Sequence, residues 1–141
     1  MRLKGVKGMH KQYELKVYPQ GKGRDVYRTL AISGEKTLDQ LCRFILESFS
    51  FSCDHLYEFC MDNCPYSANS YRADSEDGVP STDISLDQLD LTEGQKFLFH
   101  YDFGDDWMFP ISVMHITETE RKTVPKILKK KGEIEQYPEW E

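Results

Sequence analysis

The sequence predicts an α+β fold, in which one main helix covers a largely antiparallel or mixed sheet of about five strands. Three patterns support this prediction: an aromatic residue at every second position over 97–103, a polar and apolar alternation over 13–18, and one amphipathic helical segment after residue 36. A period of two is typical of strands and a period near 3.6 of helices. The predicted order is ββαβ, a long loop, then ββ, which resembles a β-grasp-like arrangement.

Length and composition are those of one globular domain. The 141 residues are 39% hydrophobic and 30% charged, and a chain of this size can bury a core without disulfides or structural metals. We expect a single domain over residues 1–141, with its core at about 12–128. No apolar run approaches the roughly 20 residues that span a bilayer, and the first residues lack the apolar core of a signal peptide. The sequence therefore predicts a cytoplasmic protein with no membrane partner.

Two strands joined by a loop are predicted near the start of the chain. Residues 13–18 alternate polar and apolar side chains, and residues 26–32 form a second strand-like run. On the second strand, Arg28 shares a face with apolar neighbours, which leaves two interpretations open. Either its guanidinium pairs with an acidic group, or the strand lies at a sheet edge, where the stem of Arg28 packs and its charge stays in water. The edge position is the simpler expectation.

One helix is predicted to begin at Thr37 and to end near Ser50. Thr37 and Gln40 have the spacing of a capping box, in which each side chain bonds the backbone N–H of the other residue. The apolar residues that follow recur at helical spacing and form one stripe for packing on a sheet. This stripe consists of Leu38, Leu41, Cys42, Ile45 and Phe49. Residues 56–61 then predict the third strand.

A long polar segment, residues 62–85, separates the third strand from the last two. So long a segment without predicted structure inside a compact domain is usually functional or disordered. At its end, Ser85 and Gln88 repeat the capping pattern, this time for about one helical turn.

The last two predicted strands form a β-hairpin over residues 97–116. Gly104 is free to adopt a positive φ, and the aspartates that follow it tolerate turn conformations. The predicted tip brings three carboxylates next to an indole: Asp102, Asp105, Asp106 and Trp107. We take this tip as the candidate functional site.

The three tip aspartates admit two interpretations. They can hold a hard divalent cation such as Mg²⁺ or Ca²⁺ through oxygen ligands, with His55 or His100 nearby. Alternatively, they bond backbone N–H groups within the turn, as Asx side chains commonly do. His55 is the one catalytic candidate, as a general base whose tautomer a carboxylate fixes. Its alternative role is that of a strand-start residue bonded to the backbone.

The cysteine spacing does not predict a structural zinc site. Such sites usually present two close pairs of ligands, and only Cys60 and Cys64 have a spacing near that of one pair. We therefore expect reduced thiols at Cys42, Cys53, Cys60 and Cys64. No cofactor is predicted, apart from the divalent cation that the aspartates can accommodate.

Charge is distributed unevenly along the chain. Residues 54–106 carry 13 Asp or Glu against 2 Lys or Arg, within a net charge of -6. An acidic middle argues against a broad nucleic-acid surface, which needs Lys and Arg to neutralise phosphates. A local basic face remains an alternative, formed if the two basic ends of the chain meet; the other interpretation is that these ends are solvated. The basic residues concerned are Arg2, Lys4, Lys7, Lys11, Lys129, Lys130 and Lys131.

Two motifs carry a resemblance to a known family. The HLYEF stretch at 55–59 and, above all, YDFGDDW at 101–107 resemble the plasmid Ri open-reading-frame-three-like family, over about residues 12–128. Some of its members are labelled insertion-element passenger TnpR proteins. The resemblance implies a small prokaryotic α+β domain linked to mobile elements, without a settled activity. Nothing in the sequence resembles a recombinase active site.

We expect a non-enzymatic binding or adaptor module that uses the hairpin tip and the 62–85 loop, because recognition is usually carried by loops on a rigid scaffold. Its candidate binding residues are Asp102, Asp105, Asp106, Trp107, His55 and Arg28. Its partner, whose identity the sequence does not give, is a protein or a small ligand. The first alternative is a metal-dependent hydrolase or nuclease that uses the three tip aspartates and His55. The second is a DNA-associated accessory protein of a mobile element.

Overall fold

The computed structural model of this chain describes residues 9–73 and 81–138. Within these ranges the chain forms seven strands in one sheet, one α-helix and one 3₁₀ helix, so the predicted α+β class is confirmed. The strands are β1 His10–Val17, β2 Tyr27–Ser33, β3 Tyr57–Cys60, β4 Ser70–Arg72, β5 Lys96–Tyr101, β6 Trp107–Thr119 and β7 Lys126–Lys131. The α-helix, α1, spans Leu38–Ser48, and the 3₁₀ helix spans Leu86–Leu89.

The strand order is β4-β3-β5-β6-β1-β2-β7. The predicted pairings of the first two strands and of the hairpin are confirmed. The predicted count of five strands is wrong, since β4 lies inside the 62–85 loop and β7 lies beyond the hairpin. Every pair of named strands in the described ranges is antiparallel. The mixed alternative is therefore wrong, and the order is not that of the β-grasp-like arrangement we expected.

Helix α1 is fixed at its start by the predicted capping box. The backbone N–H of Gln40 donates to Oγ1 of Thr37 at 3.1 Å, and the backbone N–H of Thr37 donates to Oε1 of Gln40 at 3.0 Å. The apolar stripe of the helix is buried in the same core as the inward-facing residues of β1, β2, β5 and β6. The second predicted capping box, Ser85 with Gln88, caps the 3₁₀ helix. The start of each helix is thus fixed by two side chains that lie three residues apart.

Strand β7 changes the position of Arg28. Because β7 pairs with the outer side of β2, Arg28 is not at a sheet edge, and its exposed fraction is 0%. The expected edge position is therefore wrong. The guanidinium donates to Oε1 of Glu133 at 3.3 Å and lies 4.4 Å from the ring centre of Phe49. It also donates, at 2.7 to 3.0 Å, to the main-chain oxygens of Tyr27, Ser48, Lys131 and Gly132. Burial lowers the pKa of Arg28, and the charge of Glu133 opposes this effect.

Some predictions fall outside the described residues. These are the basic residues Arg2, Lys4 and Lys7, and the part of the 62–85 loop at residues 74–80. Among the helices of the described ranges, none has the length and apolar character needed to cross a membrane.

Candidate functional site

The turn between β5 and β6 forms the candidate site at one end of the sheet. Tyr101 and Trp107 pair directly, so residues 102–106 close the hairpin as predicted. The positive φ angles belong to Asp102, at 64°, and Asp106, at 52°. Gly104 has no positive φ, so its expected role in the turn is wrong. Aspartate serves here because it tolerates the left-handed region better than most residues.

Asp102 holds the turn together and is only 7% exposed. Its Oδ1 atom accepts the backbone N–H groups of Gly104 at 3.1 Å and Asp105 at 3.3 Å, while its own N–H donates to the carbonyl of Leu56 at 2.9 Å. Of the two interpretations, turn chemistry is the one that Asp102 displays. One of its carboxylate oxygens is thereby committed to the backbone.

The other two aspartates occupy different surroundings. Asp105 is exposed, and in the described ranges its side chain makes no hydrogen bond or ion pair. Asp106 places Oδ1 2.7 Å from Nε2 of His100 and 3.4 Å from the hydroxyl of Tyr66. Across the part of the chain that the structure describes, no three His, Cys, Asp or Glu side chains are grouped as ligands for one metal ion. The carboxylates share a turn without converging on one point.

Sequence reasoning missed Glu58 as the partner of His100. Both side chains are buried, and Nδ1 of His100 lies 2.7 Å from Oε2 of Glu58. The same oxygen accepts the backbone N–H of Tyr66 at 2.8 Å, and the Tyr66 ring lies edge-on to His100 at 4.9 Å. When both of its nitrogens carry a hydrogen, the imidazole can donate one hydrogen bond to Glu58 and one to Asp106. At both positions, the signal in the sequence was a polar residue within a run of apolar residues that form a strand.

The imidazole of His55 lies next to the turn. Its Nε2 atom is 2.7 Å from the hydroxyl of Tyr137, 3.3 Å from Oδ1 of Asp54 and 3.5 Å from Oδ2 of Asp102. Its backbone N–H donates to the hydroxyl of Tyr101 at 3.3 Å. The side chain is 36% exposed. The imidazole can therefore exchange hydrogen bonds among two carboxylates and a phenol at the surface.

Trp107 stands between two clefts. Its indole is partly buried, and the indole ring centre lies 4.8 Å from that of Phe51 and 5.9 Å from that of Phe109. The first cleft, of about 250 Å³, is lined by Pro19, Gln20, Lys22, Asp105, Asp106, Trp107 and Met108. The second, of about 290 Å³, is lined by Asp105, Trp107, Gln136, Tyr137 and Pro138. We call Trp107, Asp105 and these two clefts the Trp107 surface.

Arg28 and the described part of the 62–85 loop do not line this surface. The guanidinium of Arg28 is engaged between β2, β7 and Ser48. From the described part of the loop, Tyr66 contacts the hairpin turn through Asp106 and Phe103. The sequence did not indicate residues 19–22 and 136–138, which come from distant parts of the chain and have no motif of their own.

The chain matches a known protein family. A family model described as plasmid pRiA4b ORF-3-like protein covers residues 11–139 of this chain. No curated protein matches this chain.

Among solved structures, a protein of unknown function from Methanosarcina mazei Go1 is similar, with a TM-score of 0.71 at 24% sequence identity. The match covers 86% of this chain and 69% of the other. At this identity the likeness shows the fold alone.

Proposed function

The chain belongs to the plasmid pRiA4b ORF-3-like family, and we propose that the Trp107 surface is the ligand site of a non-enzymatic binding module. One observation carries the proposal: Trp107 and Asp105 are shared by two open clefts. An indole and a carboxylate at one exposed corner offer a ligand both apolar contact and charge. Rigid support comes from Phe51 and Phe109 beneath the indole.

The chemistry of this corner favours a cationic ligand group. A Lys or Arg side chain is attracted to the face of an indole and to a carboxylate. The first cleft already contains Lys22, whereas the side chains of the second, apart from Asp105, are uncharged. We therefore place the cationic group of the ligand in the second cleft, against Asp105, Trp107 and Tyr137. A short peptide segment with Arg or Lys beside an apolar residue matches this arrangement.

The geometry supports this function better than the two alternatives. Metal-dependent hydrolysis needs carboxylate oxygens that converge on a cation, yet Asp102 bonds the backbone and Asp106 bonds His100. The accessory role on DNA needs a basic surface; the Trp107 surface carries carboxylates, and the basic face expected where the two ends of the chain meet includes Arg2, Lys4 and Lys7, which lie outside the described residues. Both alternatives, like the link to mobile elements, remain predictions from the sequence.

Peptide binding tests the proposal. Fluorescence anisotropy is measured with labelled peptides that carry Arg or Lys beside an aromatic residue, and with the same peptides carrying Glu instead. We expect the basic peptides to bind and Asp105→Asn to weaken them about fivefold, the effect of losing one partly exposed charge contact. Trp107→Phe, which keeps an aromatic ring but removes the indole, is also expected to weaken them.

The matched control is Glu118→Gln. It removes one negative charge at an exposed position on β6, roughly 35 Å along the strand from Trp107. This variant is expected to bind like the unmodified chain. The proposal is wrong if the basic peptides bind no better than their acidic counterparts at millimolar concentration, or if neither Asp105→Asn nor Trp107→Phe changes their affinity.

A further inference from the structure

Strand β7 forms one edge of the sheet, and all six of its side chains are exposed. In residues 9–73 and 81–138, no strand pairs with its outer side. A sheet edge of this kind presents backbone N–H and C=O groups that another extended chain can bond. The β7 edge is separate from the Trp107 surface, and a role for this edge does not depend on the function proposed for the Trp107 surface.

Exposed apolar side chains are concentrated at this edge. Seven large hydrophobic residues of the described ranges are exposed, and three of them lie within residues 124–128: Val124 at 72%, Ile127 at 43% and Leu128 at 46%. Beside them, a groove of about 360 Å³ lies between α1 and Pro125, with Phe44 in its lining. Lysines are one common protection of an edge strand against pairing. They do not account for the apolar side chains next to them.

The two faces of the edge differ in chemistry. Ile127 is opposite Leu30, a core residue, and directly opposed residues of an antiparallel pair point to the same face. Ile127 therefore lies on the face that α1 covers. Lys126 and Lys129 are opposite Ala31 and Thr29, on the other face. A strand added here would meet Ile127 and Lys130 on one face, since Lys130 is opposite Arg28, and the ammonium groups of Lys126 and Lys129 on the other.

Charge decides which strand can be added. The edge contains Lys126, Lys129, Lys130 and Lys131. Lys130 pairs with Glu133 at 3.1 Å, and Lys131 donates to the carbonyl of Arg24 at 2.7 Å. In the described ranges, Lys126 and Lys129 make no such contact. Two β7 strands side by side would bring lysines together, which destabilises the pair, whereas acidic side chains opposite lysines stabilise it.

We propose that the outer edge of β7 binds an extended segment of a partner protein in which Asp or Glu alternates with Val or Ile. The segment adds to the sheet beside β7. Its acidic side chains face Lys126 and Lys129, and its apolar side chains face Ile127 and the groove beside Pro125.

A labelled twelve-residue peptide of alternating Glu and Val is the probe, with the full chain in fluorescence anisotropy. We expect Lys129→Glu and Ile127→Thr each to weaken binding at least about fivefold. Threonine keeps the β-branched shape, and thermal unfolding checks that both variants remain folded. Lys96→Glu, the same charge change at an exposed position on β5, is the matched control and should leave binding unchanged. Methylation of alternate peptide nitrogens should abolish binding, because it removes the backbone donors.

Four results would overturn the proposal. The first is that the methylated peptide binds as well as the unmodified one, and the second is that no peptide binds at millimolar concentration. The third is that a short DNA duplex binds more tightly than the peptide and displaces it, which would identify the surface as a phosphate site. The fourth is that the chain forms a dimer that Ile127→Thr dissociates, which would identify a second copy as the occupant.

Discussion

The Nδ1 atom of His100 lies 2.7 Å from Oε2 of Glu58, between two strands and on the sheet face opposite the aromatic core. The other ring nitrogen lies 2.7 Å from Oδ1 of Asp106. One imidazole thus connects β3, β5 and the hairpin turn. It also fixes the carboxylate of Asp106, which lines the first cleft of the Trp107 surface.

Removal of the imidazole is expected to destabilise the fold strongly. In residues 9–73 and 81–138, His100→Ala removes the imidazole from the buried carboxylate of Glu58, which keeps the hydrogen bond from the backbone N–H of Tyr66. Removing one partner of a buried hydrogen bond leaves the other group's desolvation uncompensated, which typically costs about 1–3 kcal/mol and more for a charged group. Urea unfolding of both chains measures this difference in the free energy of unfolding.

Replacement of both partners removes the buried polar groups and keeps the packing volume. When Glu58→Met accompanies His100→Phe, no unpaired charge remains, and apolar replacements of similar size are often neutral. We expect the double variant to recover most of the stability lost in His100→Ala. A loss below about 1 kcal/mol in His100→Ala would show that the contact contributes little.

Asp102 is expected to tolerate asparagine but not alanine. Its φ of 64° suits Asp and Asn, and an Asn carbonyl can accept the N–H groups of Gly104 and Asp105. Asp102→Ala loses both acceptor contacts and strains the backbone, so we expect a cost of about 1–3 kcal/mol. Asp102→Asn should cost less than about 1 kcal/mol. Equal unfolding midpoints for the two variants would show that the Asx turn is not needed.

Features that depend on neighbouring residues could be predicted from the sequence. The capping boxes at Thr37 and Ser85 and the hairpin that ends at Trp107 are local, because each is specified by residues a few positions apart. Strands β4 and β7 could not be predicted in this way. β4 has three residues, and the wholly exposed β7 lacks the alternation that reveals a half-buried strand. The error about Arg28 follows directly, since its position depends on β7.

The candidate site was predicted only in part, for the same reason. The turn aspartates and Trp107 lie together in the sequence, and the HLYEF stretch at 55–59 indicated His55. The contact between Glu58 and His100 joins residues 42 positions apart, and the clefts need residues 19–22 and 136–138. No local pattern encodes which distant loops meet. Strand register determines the first contact, and tertiary packing determines the clefts.

Arg28 is expected to be irreplaceable by lysine. A guanidinium is planar and can donate in several directions at once, whereas an ammonium is a compact group on a flexible stem. Arg28→Lys leaves several main-chain oxygens without a donor, and we expect it to lower the free energy of unfolding by about 2–4 kcal/mol. Arg43→Lys is the matched control. Arg43 is exposed and pairs with Asp39 on the helix surface, so its replacement should cost less than about 0.5 kcal/mol. Similar costs for both variants would contradict this role of Arg28.

The four cysteines are expected to differ in reactivity with iodoacetamide. Cys53 and Cys64 are exposed, whereas Cys42 and Cys60 are buried. Burial is the main cause that raises the pKa of the Cys60 thiol to about 12, and it raises the pKa of Cys42 as well. A raised thiol pKa lowers the fraction of reactive thiolate, by roughly a thousandfold at pH 8 for Cys60. Mass spectrometry should therefore show two fast labels in the folded chain and four in urea. Fast labelling of Cys60 without denaturant would show that the sheet opens around Glu58 and His100.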